Sequence, residues 1–206
     1  MIEQIGRHRV KHGNIMAGID GLIPGGTVDF IYSDPPWGNG NLKYWQTLNV
    51  KNNVAERLDT DLTLFMEQLF SIIHQASKPS TLVFIEYGVK WVSVIEAFSQ
   101  KIGLNICAVS NPVYGHPQRP LKLFTLAYQP LELPSHYQAS IDNTSGFETL
   151  LKATAPFEMS GKSFLDPCCG LGYTAKLAVR NNAVFYGNEL NASRLEHTKK
   201  ILYEDL

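Results

Sequence analysis

The chain has few charged residues, few cysteines and no long apolar run. Only 18% of its 206 residues are charged and the net charge is −1, which excludes a protein that binds nucleic acid through overall positive charge. No apolar stretch reaches the roughly 18 residues that a membrane-spanning helix needs, so we expect no membrane association. Internal repeats and low-complexity tracts are also missing, which excludes repeat architectures.

The three cysteines indicate a reducing compartment. Their number is odd, and Cys107, Cys168 and Cys169 form no Cys-x-x-Cys pair, which argues against a disulfide framework and against a zinc site. We therefore expect no bound metal. The first residues lack the charged-then-apolar layout of a signal peptide, so we expect a cytoplasmic protein.

An apolar run over residues 28–32 leads into the tetrapeptide Asp-Pro-Pro-Trp. Asp34 offers a carboxylate acceptor, and Pro35 offers a backbone carbonyl whose direction is restricted because Pro36 follows it. Trp37 offers an apolar face large enough to stack on a nucleobase. Two acceptors and an aromatic plane suit an exocyclic amine. The alternative interpretation is a strand that ends in a structural Pro-Pro turn with a buried tryptophan.

A second motif lies near the end of the chain. Residues 163–166 read as a strand, Gly170 and Gly172 as a tight turn, and residues 173–180 as a helix whose N–H groups point at the turn. The following strand ends in Glu189, at the spacing of a carboxylate that binds a ribose. This order indicates a site for an adenosine-type cofactor. The alternative is an ordinary βαβ unit with an empty turn.

The two motifs resemble those of the S-adenosylmethionine-dependent amino-methyltransferases that act on N6 of adenine or N4 of cytosine. Residues 34–37 match the family's Asp/Asn/Ser-Pro-Pro-aromatic motif, and residues 166–172 match its Asp-Pro-Phe-x-Gly-x-Gly motif. The catalytic motif comes first, which resembles the circularly permuted "beta" order. The resemblance covers nearly the whole chain. The family usually has an aromatic residue where this chain has Cys168.

The resemblance implies S-adenosylmethionine as the cofactor and assigns roles to named residues. The implied catalytic residues are Asp34, Pro35, Pro36 and Trp37. The implied cofactor-binding residues are Asn14, Asp34, Asp166, Pro167, Cys168, Gly170, Gly172, Thr174, Asn188 and Glu189. Among these, Asn14 is expected to face the adenine of the cofactor. Asp rather than Ser at position 34 favours adenine as the target base.

Two polar segments, residues 38–59 and 111–120, are predicted as loops that contact the substrate. Both mix cations with aromatic residues, as proteins that hold unstacked nucleotides do. The candidate substrate-binding residues are Trp37, Asn39, Lys43, Tyr44, His116 and Arg119. No segment is large enough for a separate target-recognition domain. Sequence specificity is therefore expected to be short or weak, or to come from a homodimer or a partner subunit.

The alternation of strands and helices predicts a single α/β domain over residues 1–206, with a mostly parallel seven-stranded sheet and one antiparallel hairpin. The resemblance implies that this domain has the circularly permuted Rossmann-like methyltransferase fold. The predicted strands are residues 7–13, 28–34, 81–87, 104–110, 122–129, 163–166 and 184–188. The expected activity is methylation of N6 of adenine in DNA. Two alternatives stay open: the same chemistry on RNA adenine or on N4 of cytosine, and a catalytically silent partner subunit with the same fold.

Overall fold

The computed structural model describes residues 1–51, 61–115 and 117–206. Within them, the strands in chain order are β1 (Ile2–Ile5), β2 (His8–His12), β3 (Val28–Ser33), β4 (Ser77–Gly88), β5 (Asn105–Ser110), β6 (Val113–Tyr114), β7 (Arg119–Ala127), β8 (Ser163–Asp166) and β9 (Val184–Glu189). The α-helices are α1 (Gly38–Lys51), α2 (Leu62–Ala76), α3 (Val92–Lys101), α4 (Tyr137–Ile141), α5 (Phe147–Thr154), α6 (Tyr173–Arg180) and α7 (Ala192–Tyr203). Short 3-10 helices lie at Ile15–Ala17 and Val89–Trp91.

The strands form one mixed sheet in the order β1-β2-β9-β8-β3-β4-β7-β5, with β6 paired to β7. The middle of the sheet, from β2 to β4, is parallel. The β1 edge and the β5–β7 region are antiparallel. The predicted α/β class and the predicted antiparallel pairing of β5 with β7 are confirmed.

Both faces of the sheet are covered, which explains the continuous apolar runs in its central strands. One core contains residues of α2 and α3, and it includes Ile31 and Phe70. The other core contains residues of α4 to α7, and it includes Phe30 and Leu177. Adjacent residues of β3 therefore enter opposite cores, as the alternation of side chains along a strand requires.

Neighbouring strands β8 and β3 are followed by helices on opposite faces of the sheet. After β8 the chain enters α6, which packs in the core of Phe30, whereas after β3 it continues to α2, which packs in the core of Ile31. In open α/β sheets such a switch leaves a crevice at the carboxyl ends of the strands, where ligands bind. The fold therefore places the tips of β3, β8 and β9 around one crevice.

Two expectations need correction. The described residues hold nine strands rather than seven, because β1 and β6 are short edge pairings that apolar periodicity does not reveal. The predicted loop at residues 38–59 begins with the helix α1, Gly38–Lys51, and residues 52–60 lie outside the described part. Two glycines and two asparagines at the start of α1 have low helix propensity, so the sequence did not indicate a helix there. Across the described residues, no helix is long and apolar enough to cross a membrane.

Candidate active site

A cavity of about 220 Å³ lies at the carboxyl ends of β3, β8 and β9. The catalytic-motif and cofactor-motif ends of the chain meet there, although more than a hundred positions separate them along the sequence. Its lining comprises Gly13, Asn14, Ile15, Met16, Asp34, Pro35, Pro36, Trp37, Asn41, Leu42, Trp45, Gln46, Asn49, Phe65, Tyr114, Pro167, Cys168, Asn188, Glu189, Leu190, Asn191 and Arg194.

The turn after β3 is organised by the Asp34 carboxylate and the Trp37 side chain. The indole Nε1–H of Trp37 donates to Asp34 Oδ1 at 2.8 Å. The backbone N–H of Trp37 donates to Asn41 Oδ1 at 3.0 Å, which ties the turn to the first turn of α1. The indole occupies one oxygen of Asp34. The other oxygen can accept a hydrogen bond from a ligand in the cavity.

The Trp37 ring is held from two further sides. Tyr114 meets it edge-on, with the ring centroids 5.3 Å apart and the planes at 89°. On another side Gly88 passes so close that an added Cβ would lie 3.2 Å from Trp37 Cβ. A larger residue at position 88 would therefore require Trp37 or its neighbours to shift by a few tenths of an ångström. The two sheet segments that hold Trp37, β4 and the β6–β7 hairpin, are distant from it in sequence.

Four carboxyl groups lie in or directly behind the cavity. Burial raises the pKa of Asp34 to about 6 and that of Asp166 to about 7. Burial, with the Asp34 charge adding to it, raises the pKa of Glu86 to about 8, and burial raises the pKa of Glu189. Protein atoms surround Asp34, but solvent in the open cavity still reaches its side chain. A ligand that fills the cavity would therefore increase the desolvation of this carboxylate.

The Gly-rich turn is held together by its two acids. Asp166 accepts from the backbone N–H of Cys168 at 3.1 Å and from the hydroxyl of Thr174 at 2.7 Å. Glu189 accepts from the backbone N–H groups of Gly170 and Asn191, both at 2.8 Å. Each carboxylate thus uses two of its acceptor positions within the protein. A carboxylate offers about four such positions, so Glu189, which lines the cavity, keeps acceptor capacity for a ligand.

Gly170 and Gly172 both adopt left-handed backbone conformations, with φ of 51° and 82°. At Gly172 an added Cβ would lie 2.8 Å from Thr198 Oγ1 of α7, so this glycine also permits close helix packing. Asp166, Gly170, Gly172 and Thr174 do not belong to the described lining of the cavity, whereas Pro167 and Cys168 do.

The two predicted asparagines also line the cavity. The side-chain carbonyl of Asn14 accepts from the backbone N–H of Met16 at 3.0 Å and caps a 3-10 helix. The Asn188 amide donates to the carbonyls of Gly13 and Pro167, at 3.2 and 3.1 Å. Within the described structure, Asn188 Oδ1 is buried without a hydrogen-bond partner. Such an acceptor costs free energy unless a donor reaches it.

The substrate candidates divide between the cavity and its surroundings. Trp37 lines the cavity, whereas Lys43 and Tyr44 are exposed on α1. Asn39 accepts from the backbone N–H of Leu62 at 3.0 Å and so contacts the start of α2. Arg119 is exposed and pairs with Tyr114 across the β6–β7 hairpin. His116 lies outside the described residues.

The lining residues outside the predicted motifs and segments include Asn191 and Arg194 at the start of α7. Trp45 and Asn49 of α1 also line the cavity, and both fall within residues 38–59, the segment predicted to contact the substrate. The Arg194 guanidinium lies 4.1 Å from the centre of the Trp45 ring. A cation in the first turn of a helix opposes the helix dipole, and this was the one local signal for Arg194. No local signal distinguishes Asn191 as a lining residue.

Comparison with known proteins identifies similar structures only. No family model matches the chain, and no curated protein matches it by sequence. The M1.HpyAVI–SAM complex superposes with a TM-score of 0.66 at 16% identity, covering 94% of this chain and 98% of that one. A putative DNA modification methylase from Thermus thermophilus, complexed with S-adenosyl-L-methionine, gives 0.67 at 14% identity, covering 96% and 94%.

A third similar structure is that of an enzyme whose name states its target base. PvuII DNA methyltransferase (cytosine-N4-specific) superposes with a TM-score of 0.61 at 9% identity, covering 95% of this chain and 90% of that one. At these low identities the likeness establishes the fold: this chain has the mixed α/β fold of these proteins over nearly its whole length.

Proposed function

We propose that the protein transfers a methyl group from S-adenosylmethionine to an exocyclic amine of a nucleobase, and that this amine is N6 of adenine in DNA. One observation carries the proposal. The Asp34–Trp37 turn and the strand end at Asn188 and Glu189 line the same cavity. The cavity is thus lined both by a turn that can accept hydrogen bonds from an amine and by a carboxylate that can bind a ribose.

The charge of the cavity fits this cofactor, which supplies an electrophilic methyl group on a positively charged sulfur. Asp34 and Glu189 line the cavity, and Asp166 and Glu86 lie behind it. Arg194 is a partial counter-charge for Asp34 and Glu189. With pKa values of about 8 and 7, Glu86 and Asp166 are largely or partly protonated near neutral pH, so the preference for a cation depends on Asp34 and Glu189. A cationic ligand beside these two acids would stabilise their ionised forms. The residues that would hold it are Asn14, Asp34, Pro167, Cys168, Asn188 and Glu189, with Asp166, Gly170, Gly172 and Thr174 shaping the turn.

The chemistry of adenine explains the two acceptors after β3. The N6 lone pair is delocalised into the ring, so the amine is a poor nucleophile. Hydrogen bonds from N6–H to Asp34 and to the Pro35 carbonyl favour a pyramidal nitrogen and free the lone pair as the new bond forms. Pro36 restricts the backbone of Pro35 and so limits the direction of that carbonyl. These bonds strengthen in the transition state, and the methylated nitrogen then loses one proton to solvent.

The similar structures support the reaction class more strongly than the target base. Two of them are named as S-adenosylmethionine complexes, and two are titled as a DNA methylase or DNA methyltransferase. One is cytosine-N4-specific, so N4 of cytosine is the second candidate target. The catalytic motif precedes the cofactor motif along this chain, and we propose that this is the permuted order.

The substrate is proposed to approach from the side of α1 and the β6–β7 hairpin. A base in a duplex must leave the stack to enter the cavity, at a cost of a few kcal/mol. There its ring would stack on Trp37. Lys43 and Tyr44 are exposed on α1, and Arg119 is exposed opposite Tyr114 on the β6–β7 hairpin, so these residues would contact the nucleic-acid backbone. RNA, a homodimer and a partner subunit that supplies specificity are compatible with this arrangement.

Incubation with cofactor followed by mass spectrometry of nucleosides tests the proposal. DNA and RNA, each single-stranded and double-stranded, should be supplied separately, and N6-methyladenosine and N4-methylcytidine with their deoxy forms should be quantified. Wild-type protein should give N6-methyldeoxyadenosine, and Asp34→Ala, which removes the acceptor altogether, should give none while its cofactor affinity stays within a few fold of wild type. Cofactor binding without methylation of any substrate would instead support a silent partner subunit.

A further inference from the structure

The Trp37 indole contacts the acid that the reaction depends on. Its Nε1–H donates to Asp34 Oδ1 at 2.8 Å, a length typical of a charge-assisted bond. A base-stacking role requires only the ring face and would be served equally by phenylalanine. Stacking therefore does not account for the hydrogen bond that the indole N–H donates to Asp34.

We propose that Trp37 is a positioning residue for Asp34: its indole N–H holds one carboxylate oxygen so that the other accepts the hydrogen bond from the substrate amine. This positioning role rests on the proposed function and adds detail to it. One oriented oxygen of Asp34 accepts the first hydrogen of the amine, and the Pro35 carbonyl accepts the second. The arrangement selects a primary amine that presents two hydrogens.

The surroundings of Trp37 make its ring a fixed support. Tyr114 meets the ring edge-on at 5.3 Å, and the backbone of Gly88 packs close to Trp37 Cβ and Cγ. The backbone N–H of Trp37 is itself bound to Asn41 Oδ1 at 3.0 Å. A donor whose ring and backbone are both held can orient a carboxylate without losing much conformational freedom in the process.

The same bond keeps Asp34 ionised where burial opposes ionisation. Burial raises the pKa of Asp34 to about 6, while the Trp37 hydrogen bond and the Arg194 charge lower it. The other titratable or charged groups that interact with its charge are Tyr32, Glu86, Asp166 and Cys168. None of these four favours the ionised form of Asp34, so loss of the indole N–H should raise the pKa of Asp34 further.

Two replacements remove the donor in different ways. Trp37→Phe keeps an aromatic face, and incorporation of benzothienylalanine at position 37 keeps the size and shape of the indole while replacing N–H by sulfur. Because the second variant keeps the ring shape, its packing against Tyr114 should be the same as in the wild type. Tyr203→Phe is the control, because Tyr203 is exposed on α7 and its hydroxyl donates to Glu3 rather than to a group in the cavity.

The first measurement needs no turnover. Carbon-13 NMR titration of labelled aspartate, with the Asp34 signal assigned through Asp34→Asn, gives the pKa of this carboxyl group directly. Both Trp37 replacements should raise it by about one unit, the size expected from the loss of one hydrogen bond to a charged group. Tyr203→Phe should leave it within a few tenths of a unit. An unchanged Asp34 pKa in both Trp37 variants would overturn the inference.

The second measurement is the pH dependence of methyl transfer. In both Trp37 variants the acidic limb of kcat/KM, which reports the free enzyme, should move to higher pH by the same amount as the NMR pKa, and kcat at neutral pH should fall about tenfold or more. KM for the nucleic acid should stay within a few fold in the benzothienylalanine protein. A loss confined to KM would assign Trp37 to stacking alone and overturn the inference. Wild-type protein without methyl transfer would instead overturn the proposed function, whatever the titration shows.

Discussion

The side-chain amide of Asn191 donates a hydrogen bond of 2.9 Å to the side-chain carbonyl of Asn49. Asn49 is buried near the end of α1, and Asn191 caps α7 by accepting from the backbone N–H of Arg194 at 3.1 Å. A second contact, between Arg194 and Trp45, lies beside it. These contacts join the helix after the catalytic turn to the helix after the strand that ends in Glu189.

Asn49→Ala should weaken cofactor binding, because it removes the polar contact that holds α1 over the cavity. We expect a loss of about 1 kcal/mol in the free energy of unfolding, the size of one net hydrogen bond. Calorimetry with S-adenosylmethionine and urea unfolding measure the two effects. Thr47→Ala, an exposed position on the same helix, is the control. Equal affinity in both variants would mean that α1 does not help to retain the cofactor.

Replacement of Glu189 should affect both binding and stability. Glu189→Ala removes the proposed ribose acceptor, at a cost of roughly 1.5–3 kcal/mol in cofactor binding. It also leaves the backbone N–H groups of Gly170 and Asn191 without their partner, so the thermal midpoint should fall. Glu189→Gln keeps one acceptor oxygen and should be milder in both respects.

Calorimetry and thermal unfolding of the same samples separate the two effects of Glu189. Glu204→Ala, an exposed acid just after α7, should change neither. If Glu189→Ala lowers stability but binds the cofactor with wild-type affinity, the carboxylate serves only to shape the turn.

Acidification should destabilise the protein through His8. This side chain is fully buried, its Nδ1 accepts from the backbone N–H of Phe185 at 3.0 Å, and burial lowers its pKa below 6.5. The unfolded chain binds a proton near pH 6.5, where the folded chain does not. The stabilisation is therefore present above that pH and is lost as the pH falls towards the folded-state pKa.

Urea unfolding at pH 8, 6.5 and 5.5 measures this loss. His8→Asn retains an acceptor for Phe185 and should flatten the pH dependence between the two ends of the series. His136→Gln, at an exposed position, should keep the wild-type slope. A His8→Asn protein with that same slope would show that other groups cause the acid sensitivity.

Arg119→Glu should weaken nucleic-acid binding for every sequence tested. Arg119 is exposed beside Tyr114 on the β6–β7 hairpin, so it can reach a phosphate near the cavity without reading a base. The slope of log affinity against log salt should become shallower by about one unit. Lys152→Glu, exposed on α5, makes the same charge change elsewhere and should have little effect. An unchanged slope for Arg119→Glu would place the nucleic acid on another surface.

Local sequence signals located most elements of the fold. The apolar residues at helical spacing between Leu62 and Ile73 indicate the helix α2, and Asp61 caps it by accepting from Leu64 N–H at 2.9 Å. The strand at residues 163–166 was predicted with its observed bounds. These segments have continuous apolar runs or 3.6-residue periodicity, which local burial imposes. The helix α1 was missed, because its polar sequence carries neither pattern and tertiary contacts such as that of Asn49 stabilise it.

The candidate site divides in the same way. The Asp34–Trp37 turn and the Gly170–Gly172 turn follow from residue chemistry that is visible in the sequence: restricted proline backbones, glycines with positive φ, and acids at strand ends. The contacts of Arg194 and Tyr114 could not be predicted in this way, because each residue reaches the cavity from an element that is distant in sequence from its partner.

The sequence by itself determined which groups the protein can bring to a reaction, because acceptors, aromatic faces and tight turns are properties of individual residues and their neighbours. Only the tertiary structure decided how those groups are paired. The sheet order places β3 beside β8, and β8 beside β9, so the two motifs face one cavity. Packing against Tyr114 and Gly88 then aims the indole of Trp37 at Asp34, a direction that depends on contacts between strands and that no local pattern encodes.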